Sequence, residues 1–244
     1  MTRGLLPLLV FFSSLITHAI PPDQKKLPIG LAPHERSWQG PSFRALGKGT
    51  APVGPVHSLG EWEDSDAVMT LWTNPSYVKA LGQNGLVRLI ADTNGDVGWW
   101  KNWLTSNSIP QANFDYIVTP TDTIWVRDYG PWWIVDGAGK FGIVDTIYNR
   151  PRPQDDKFPA YIAQALNVPR YEPGLVHTGG NYYSDGLGSA FSSTLVFKEN
   201  SSLQPAEILK RMFAFLGIER YVTTPLGENA TIEHMDTFGK LVAP

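Results

Sequence analysis

Apolar positions in the sequence fall in short runs whose period changes several times along the chain. "SDAVMTLW" sets an acid, Asp66, before a strand-length apolar run, and "LVRLIA" (86–91) is a second run of the same kind. Between them, "NPSYVKAL" places Asn74 as an N-cap and Pro75 at the first helical position. "DDKFPAYIAQALNV" carries Phe158, Ile162 and Leu166 at helical spacing. "SLQPAEILKRMFAFLG" predicts a helix beginning near Pro205, with Leu209, Met212, Phe213 and Leu216 on one face and Gly217 as its stop; "RYVTT" follows as a strand. Strand, helix and strand recur in this order, which predicts a mixed α/β fold.

The recurrence also carries acids. "VRDYGPWWIV", "YSDGLGSAFSS" and "HMDTFGKLVA" each place an acid shortly before a glycine and then a strand-like stretch. Asp66, Asp128, Asp185 and Asp236 are spaced by 62, 57 and 51 residues. A period of roughly 50–60 residues points to arrays or propellers, where each unit buries its face against the next. Acids at equivalent places would converge near a common axis, a cluster that is costly to bury unless a cation sits among them.

The first 19 residues break the pattern. Arg3, the apolar "LLPLLVFFSSLI" and "THA" read as a secretory signal peptide cleaved after Ala19, too short and too interrupted at Pro7 to span a bilayer. This predicts a secreted or periplasmic protein with no membrane partner once the signal is removed. Residues 20–57 hold seven prolines and five glycines with little periodicity, so 20–52 is expected to be a leader outside the core and 53–244 the folded domain. With 244 residues, 42% hydrophobic and 12% aromatic, the chain suffices for one or two domains. A net charge of −3 gives no footprint for nucleic acid. The absence of cysteine removes disulfides, thiolate metal sites and a thiol nucleophile from these residues. All nine tryptophans lie between Trp38 and Trp133, and two sequons begin at Asn200 and Asn229.

Candidate chemistry concentrates in four stretches. "TDTIWVRDYGPWWI" is expected to hold Asp128 rigidly, after a strand and before a Tyr-Gly-Pro turn, with Trp125 three residues earlier. "HTGGNYYSDGLG" lacks the lysine of a phosphate loop, and its glycines are expected to let backbone approach a ligand. In "IEHMDT", His234 and Asp236 alternate as on a strand and would face one side. They could ligate a metal with Asp128 or His177, or serve as an acid/base histidine beside a carboxylate that binds a cation. In "IYNRPRP", Pro151 and Pro153 keep Arg150 and Arg152 extended and on one face, where two guanidinium groups could clamp a carboxylate.

"WVRDYGPWW", "YNRPRP", "HTGGNYYSDG" and "IEHMDTFGK", in that order, make residues 50–244 resemble the secreted bacterial-type peptidylarginine deiminases. These are relatives of agmatine deiminase in the guanidine-modifying superfamily. The resemblance implies a five-bladed α/β propeller of the pentein type. It implies that Asp128 and Asp236 grip a guanidinium, that His234 is the general acid/base, and that Trp125 lines the arginine side chain. Arg150 and Arg152 would hold the carboxylate of a C-terminal arginine. The implied reaction converts peptidyl arginine to citrulline and ammonia without metal or organic cofactor, and its partners are arginyl peptides or proteins. The implied cysteine nucleophile, from the last blade, is absent. At the observed spacing the chain is expected to hold about three and a half of five blades and to be inactive alone. An agmatine deiminase-like enzyme acting on a small guanidine, and a non-catalytic arginine-binding module, remain as alternatives.

Overall fold

A computed structural model describes residues 27–28, 30–38, 49–225 and 232–241; the expected signal peptide and the Asn229 sequon lie outside them. The chain runs through β1 (His57–Ser58), β2 (Ala67–Thr70), α1 (Pro75–Asn84), β3 (Leu86–Ala91), α2 (Asn94–Ser106) and β4 (Phe114–Val118). It continues through the single turn α3 (Val126–Tyr129), β5 (Trp132–Val135), β6 (Phe141–Val144), α4 (Pro153–Leu166) and β7 (Arg170–Tyr171). The last stretch comprises β8 (Tyr183–Ser184), β9 (Ser189–Ser193), α5 (Leu195–Glu199), α6 (Pro205–Leu216) and β10 (Arg220–Thr224).

Three sheets result, ordered β1-β5-β6-β7, β2-β3-β4 and β10-β9-β8. Parallel pairs β2/β3, β3/β4, β6/β7 and β9/β10 are each joined through at least one helix, because a parallel connection must cross from one end of the sheet to the other. Helix starts follow the local chemistry. The Asn74 side chain accepts from the Tyr77 amide at 3.0 Å ahead of Pro75, and Thr93 with Asp96 forms a capping box on α2. At the far end of α6, Gly217 takes φ +68°, where an added Cβ would stand 1.8 Å from the Val56 carbonyl oxygen. The sheets pack over three cores, two of which share β5 and β6. Val87, Leu89 and Trp100 fill one, with the Trp100 indole donating to the Ile90 carbonyl at 2.8 Å. Ile143, Tyr129 and Phe158 fill a second, and Trp132, Ile208, Met212 and Phe215 a third.

Several sequence-based expectations need correction. On α6 the buried face is Ile208, Met212, Phe215 and Leu216, while Leu209 and Phe213 are exposed. Burial of about 1.5–3 kcal/mol per large side chain favours the set that packs with Trp132, Ile134, Val144 and Ala190. The leader is not wholly outside the core: Ala32 and Glu35 are buried in a turn of 3-10 helix, Pro33–Glu35. Asn200 is no open acceptor either. It is fully buried, accepting from the Val176 amide at 2.9 Å and donating to the Val176 and Val196 carbonyls at 2.8 Å each. Among the described residues no helix is long and apolar enough to cross a membrane.

Candidate active site

Asp128 lies in α3, not directly after a strand as expected, and Trp125 is the N-cap residue of that turn. The Tyr129 hydroxyl donates to the Thr123 carbonyl at 2.8 Å, which pins the turn from its buried side. Facing α3 is a second short turn, Gly179–Asn181, from the glycine-rich stretch. A Cβ at Gly179 would stand 2.1 Å from the Arg127 carbonyl oxygen, so only glycine lets the two turns touch. His234 and Asp236 sit on a third turn, Met235–Thr237, rather than on a strand. Asn181, sealed in the core, docks this turn: its Oδ1 accepts from the Ser193 amide at 2.8 Å and the Met235 amide at 3.2 Å. Ser193 Oγ donates to the Glu233 carbonyl at 2.7 Å, and Glu233 has φ +60°, a left-handed backbone that a non-glycine side chain rarely adopts.

These three turns bring the predicted groups together. From the position of a Cβ on Gly180, Asp128 Oδ1 would be 2.5 Å away, His234 Nδ1 2.6 Å and Asp236 Oδ2 2.9 Å. The glycine is therefore required by the site's own side chains, not by a ligand's approach. His234 Nδ1 and Asp128 Oδ1 are 3.0 Å apart, a charge contact without the angles of a hydrogen bond, and Thr178 Oγ1 meets His234 Nε2 at 3.1 Å. Asp128 is 2% exposed, and neither of its carboxylate oxygens has a hydrogen-bond partner among the described residues. Burial and then the charge of Asp128 raise the Asp236 carboxyl above its ordinary range, against the opposing pull of His234 and Arg127. Both acids line a cavity of about 670 Å³, together with Trp125, Arg127, Trp132 and Glu61. Arg127 pairs with Glu61 and lies 5.3 Å from the Tyr183 ring centroid.

Other candidates are placed differently. Asp185 is spent on its turn, its Oδ1 accepting from the Leu187 and Ser189 amides at 2.8 Å each, and Asp66 is exposed ahead of β2. Convergence of four equivalent acids thus reduces to two, Asp128 and Asp236. His177 meets the Tyr221 hydroxyl at 2.8 Å, and burial lowers its pKa to about 3. Among the described residues no group of three or more His, Cys, Asp or Glu side chains is arranged for a metal ion. Arg150 and Arg152 are both buried but turn to different partners. Arg150 Nη1 donates to the Asn149 carbonyl at 2.9 Å, and its charge opposes the burial that raises Glu199 to about 7. Arg152 binds the leader: its Nε and Nη2 each reach Glu35 at 3.0 Å. Sequence reasoning missed Thr178, Asn181 and Glu35. The first two stand inside the quoted "HTGGN", where attention rested on the glycines.

Comparison with known proteins bears on the family and the fold. A Mycoplasma capricolum protein named "Putative agmatine deiminase" is 23% identical over 209 residues, covering 76% of this chain and 57% of the relative. The solved agmatine deiminase of C. jejuni superposes with a TM-score of 0.64 at 19% identity, over 77% of this chain and 60% of that one. That of Enterococcus faecalis gives 0.63 at 19% identity, over 77% and 60%. The chain thus spans about three fifths of the length of these relatives. The family model described as Porphyromonas-type peptidyl-arginine deiminase matches residues 57–244. Over that span, which holds all three turns of the site, the chain belongs to the Porphyromonas-type peptidyl-arginine deiminase family.

Proposed function

We propose that this chain carries the guanidinium-gripping and proton-transferring part of a guanidine deiminase, its three sheets serving as blades of a pentein-type propeller. One observation carries the reading: Asp128 is a buried carboxylate on the cavity wall whose two oxygens accept no hydrogen bond among the described residues, beside a second acid on the same cavity. Leaving buried acceptor oxygens without hydrogen bonds costs about 1–3 kcal/mol, and a planar cation with several N–H donors relieves that cost. A guanidinium offers paired donors to two carboxylates, and its charge suits the ring faces of Trp125 and Trp132.

In the implied cycle a thiolate adds to the guanidinium carbon, His234 delivers a proton to the departing nitrogen, and ammonia leaves. His234 then takes a proton from the water that displaces sulfur, giving a ureido product. No cysteine is present in this sequence, so the chain's own residues account for holding the guanidinium and moving protons, not for attack. A small guanidine of the agmatine kind fits the site as it stands, because Arg152 is already joined to Glu35. The names of the relatives point the same way. The second reading, peptidyl arginine with a free carboxylate, draws on Arg150 and Arg152 and on the exported location read from residues 1–19.

Isothermal titration of agmatine into the chain tests the proposal. Asp128→Asn should weaken binding about 10- to 100-fold, from loss of hydrogen bonds to a charged acceptor. Equal binding by both proteins would remove the guanidinium site.

A further inference from the structure

His234 has two ring nitrogens, and the fold treats them differently. Nε2 meets Thr178 Oγ1 at 3.1 Å, within hydrogen-bond range, and Thr178 is fully buried. Nδ1 is buried as well but has no hydrogen-bond partner among the described residues. Its neighbour Asp128 Oδ1 stands 3.0 Å away, close enough for charge attraction yet off the line along which an N–H would point. Nδ1 also lies 2.6 Å from the Cβ position of Gly180, the point that Asp128 and Asp236 share.

Thr178 is held for this contact. It is the N-cap residue of the Gly179–Asn181 turn, with extended backbone, and its carbonyl accepts from the Asn181 amide at 3.1 Å. The same Asn181 docks the Met235–Thr237 turn through the Met235 amide. On the far side, the His234 carbonyl accepts from the Thr237 amide at 3.2 Å and from the Thr237 hydroxyl at 2.7 Å. The ring is thus fixed at its backbone and at Nε2. A hydroxyl oxygen accepts from Nε2–H whether the ring is neutral or charged, and it adds no negative charge beside Asp128 and Asp236. A proton on Nδ1 of the neutral ring would find no aligned acceptor, so the neutral ring keeps its proton on Nε2.

We propose that Thr178 is a positioning residue for proton transfer: accepting from Nε2–H, it holds neutral His234 in one tautomer and leaves Nδ1 as the atom that gives and takes protons. The inference rests on the proposed acid/base role of His234. The imidazolium gives its Nδ1 proton to the departing nitrogen and becomes the neutral Nε2–H ring. The Nδ1 lone pair then takes a proton from the water that displaces sulfur, which restores the imidazolium. The Nε2 proton stays with Thr178 throughout.

The test follows both ring nitrogens of His234 by heteronuclear NMR across a pH titration of the full chain, with signals assigned by their loss in His234→Gln. Nδ1 should lose its proton as pH rises while Nε2 keeps it, and Thr178→Ser should show the same pattern. Thr178→Val keeps the shape of the side chain but not its acceptor. The charge of Asp128 then decides, and the ratio of Nε2–H to Nδ1–H ring should fall about tenfold, the worth of one hydrogen bond. Thr178→Ala serves where Thr178→Val fails to fold. Should the wild-type ring stay charged throughout, Asp128→Asn removes the facing charge and must show the same loss from Nδ1. Loss of the proton from Nε2 instead, or an unaltered ratio in a folded valine or alanine variant, overturns this inference alone. Failure of the wild type to bind agmatine in a parallel isothermal titration overturns the guanidinium site and the transfer role of Nδ1 with it, whichever tautomer is found.

Discussion

Replacing Gly180 by alanine tests the geometry of the site with one methyl group. The new carbon would lie 2.5 Å from Asp128 Oδ1, 2.6 Å from His234 Nδ1 and 2.9 Å from Asp236 Oδ2, against an ordinary contact of 3.4–4 Å. Each group must retreat by roughly half an ångström or more. Asp128 and His234 are almost fully buried and have no room to do so independently. Overpacking of this kind costs about 1–3 kcal/mol of stability, and displacement of positioned groups by about 1 Å weakens function on the order of a hundredfold. Gly180→Ala should therefore lower the Tm and raise the agmatine Kd about 10- to 100-fold, measured by thermal melt and titration on the same preparation. A variant that binds within about threefold of wild type would refute the claim that these three groups share one point.

Gly98→Ala serves as the opposite control. Gly98 is exposed inside α2, and a Cβ there meets nothing within 4 Å, so the variant should gain about 1 kcal/mol, or about 2–4 °C in Tm, with agmatine binding unmoved. Asp236→Asn should lose guanidinium binding yet slightly stabilise the ligand-free chain at neutral pH, the gain being small because Asp236 is exposed and solvent screens its charge. The folded-state pKa of Asp236 is raised, so its ionisation penalises the fold as pH climbs through that value; below the ordinary carboxyl value of 3.8 both states are protonated and the penalty vanishes. The gap in Tm between variant and wild type should be widest at pH 7 and close on acidification, and a gap of constant size would sink the argument.

Local chemistry made much of the scaffold readable. Asn74–Pro75 and Pro205 with Gly217 mark helix ends because caps act within one turn. Asp128, His234 and Asp236 were found from motif order, but their meeting depends on three separate turns docking on one another. That docking is a tertiary event, and it converted the expected strand at 234–236 into a turn held by Asn181 and Ser193. Spacing alone could not separate the paired acids from Asp66 and Asp185, because an exposed or turn-forming aspartate has the same sequence neighbourhood as a buried one. The partner of Arg152 was equally hidden: Glu35 lies 117 residues away, in a segment whose prolines and glycines read as linker.

The burial of Asn200 bears on how the protein can be produced. Its amide group is wholly used in clasping Val176 and the turn at Val196, so a sugar attached there leaves no route to the same packing. Any host enzyme that modifies "NSS" does so before the chain has folded, and each modified molecule is diverted from the native state. In a eukaryotic secretory host, yield is then a race between glycan transfer and closure of the third sheet, and a host without that pathway avoids the race.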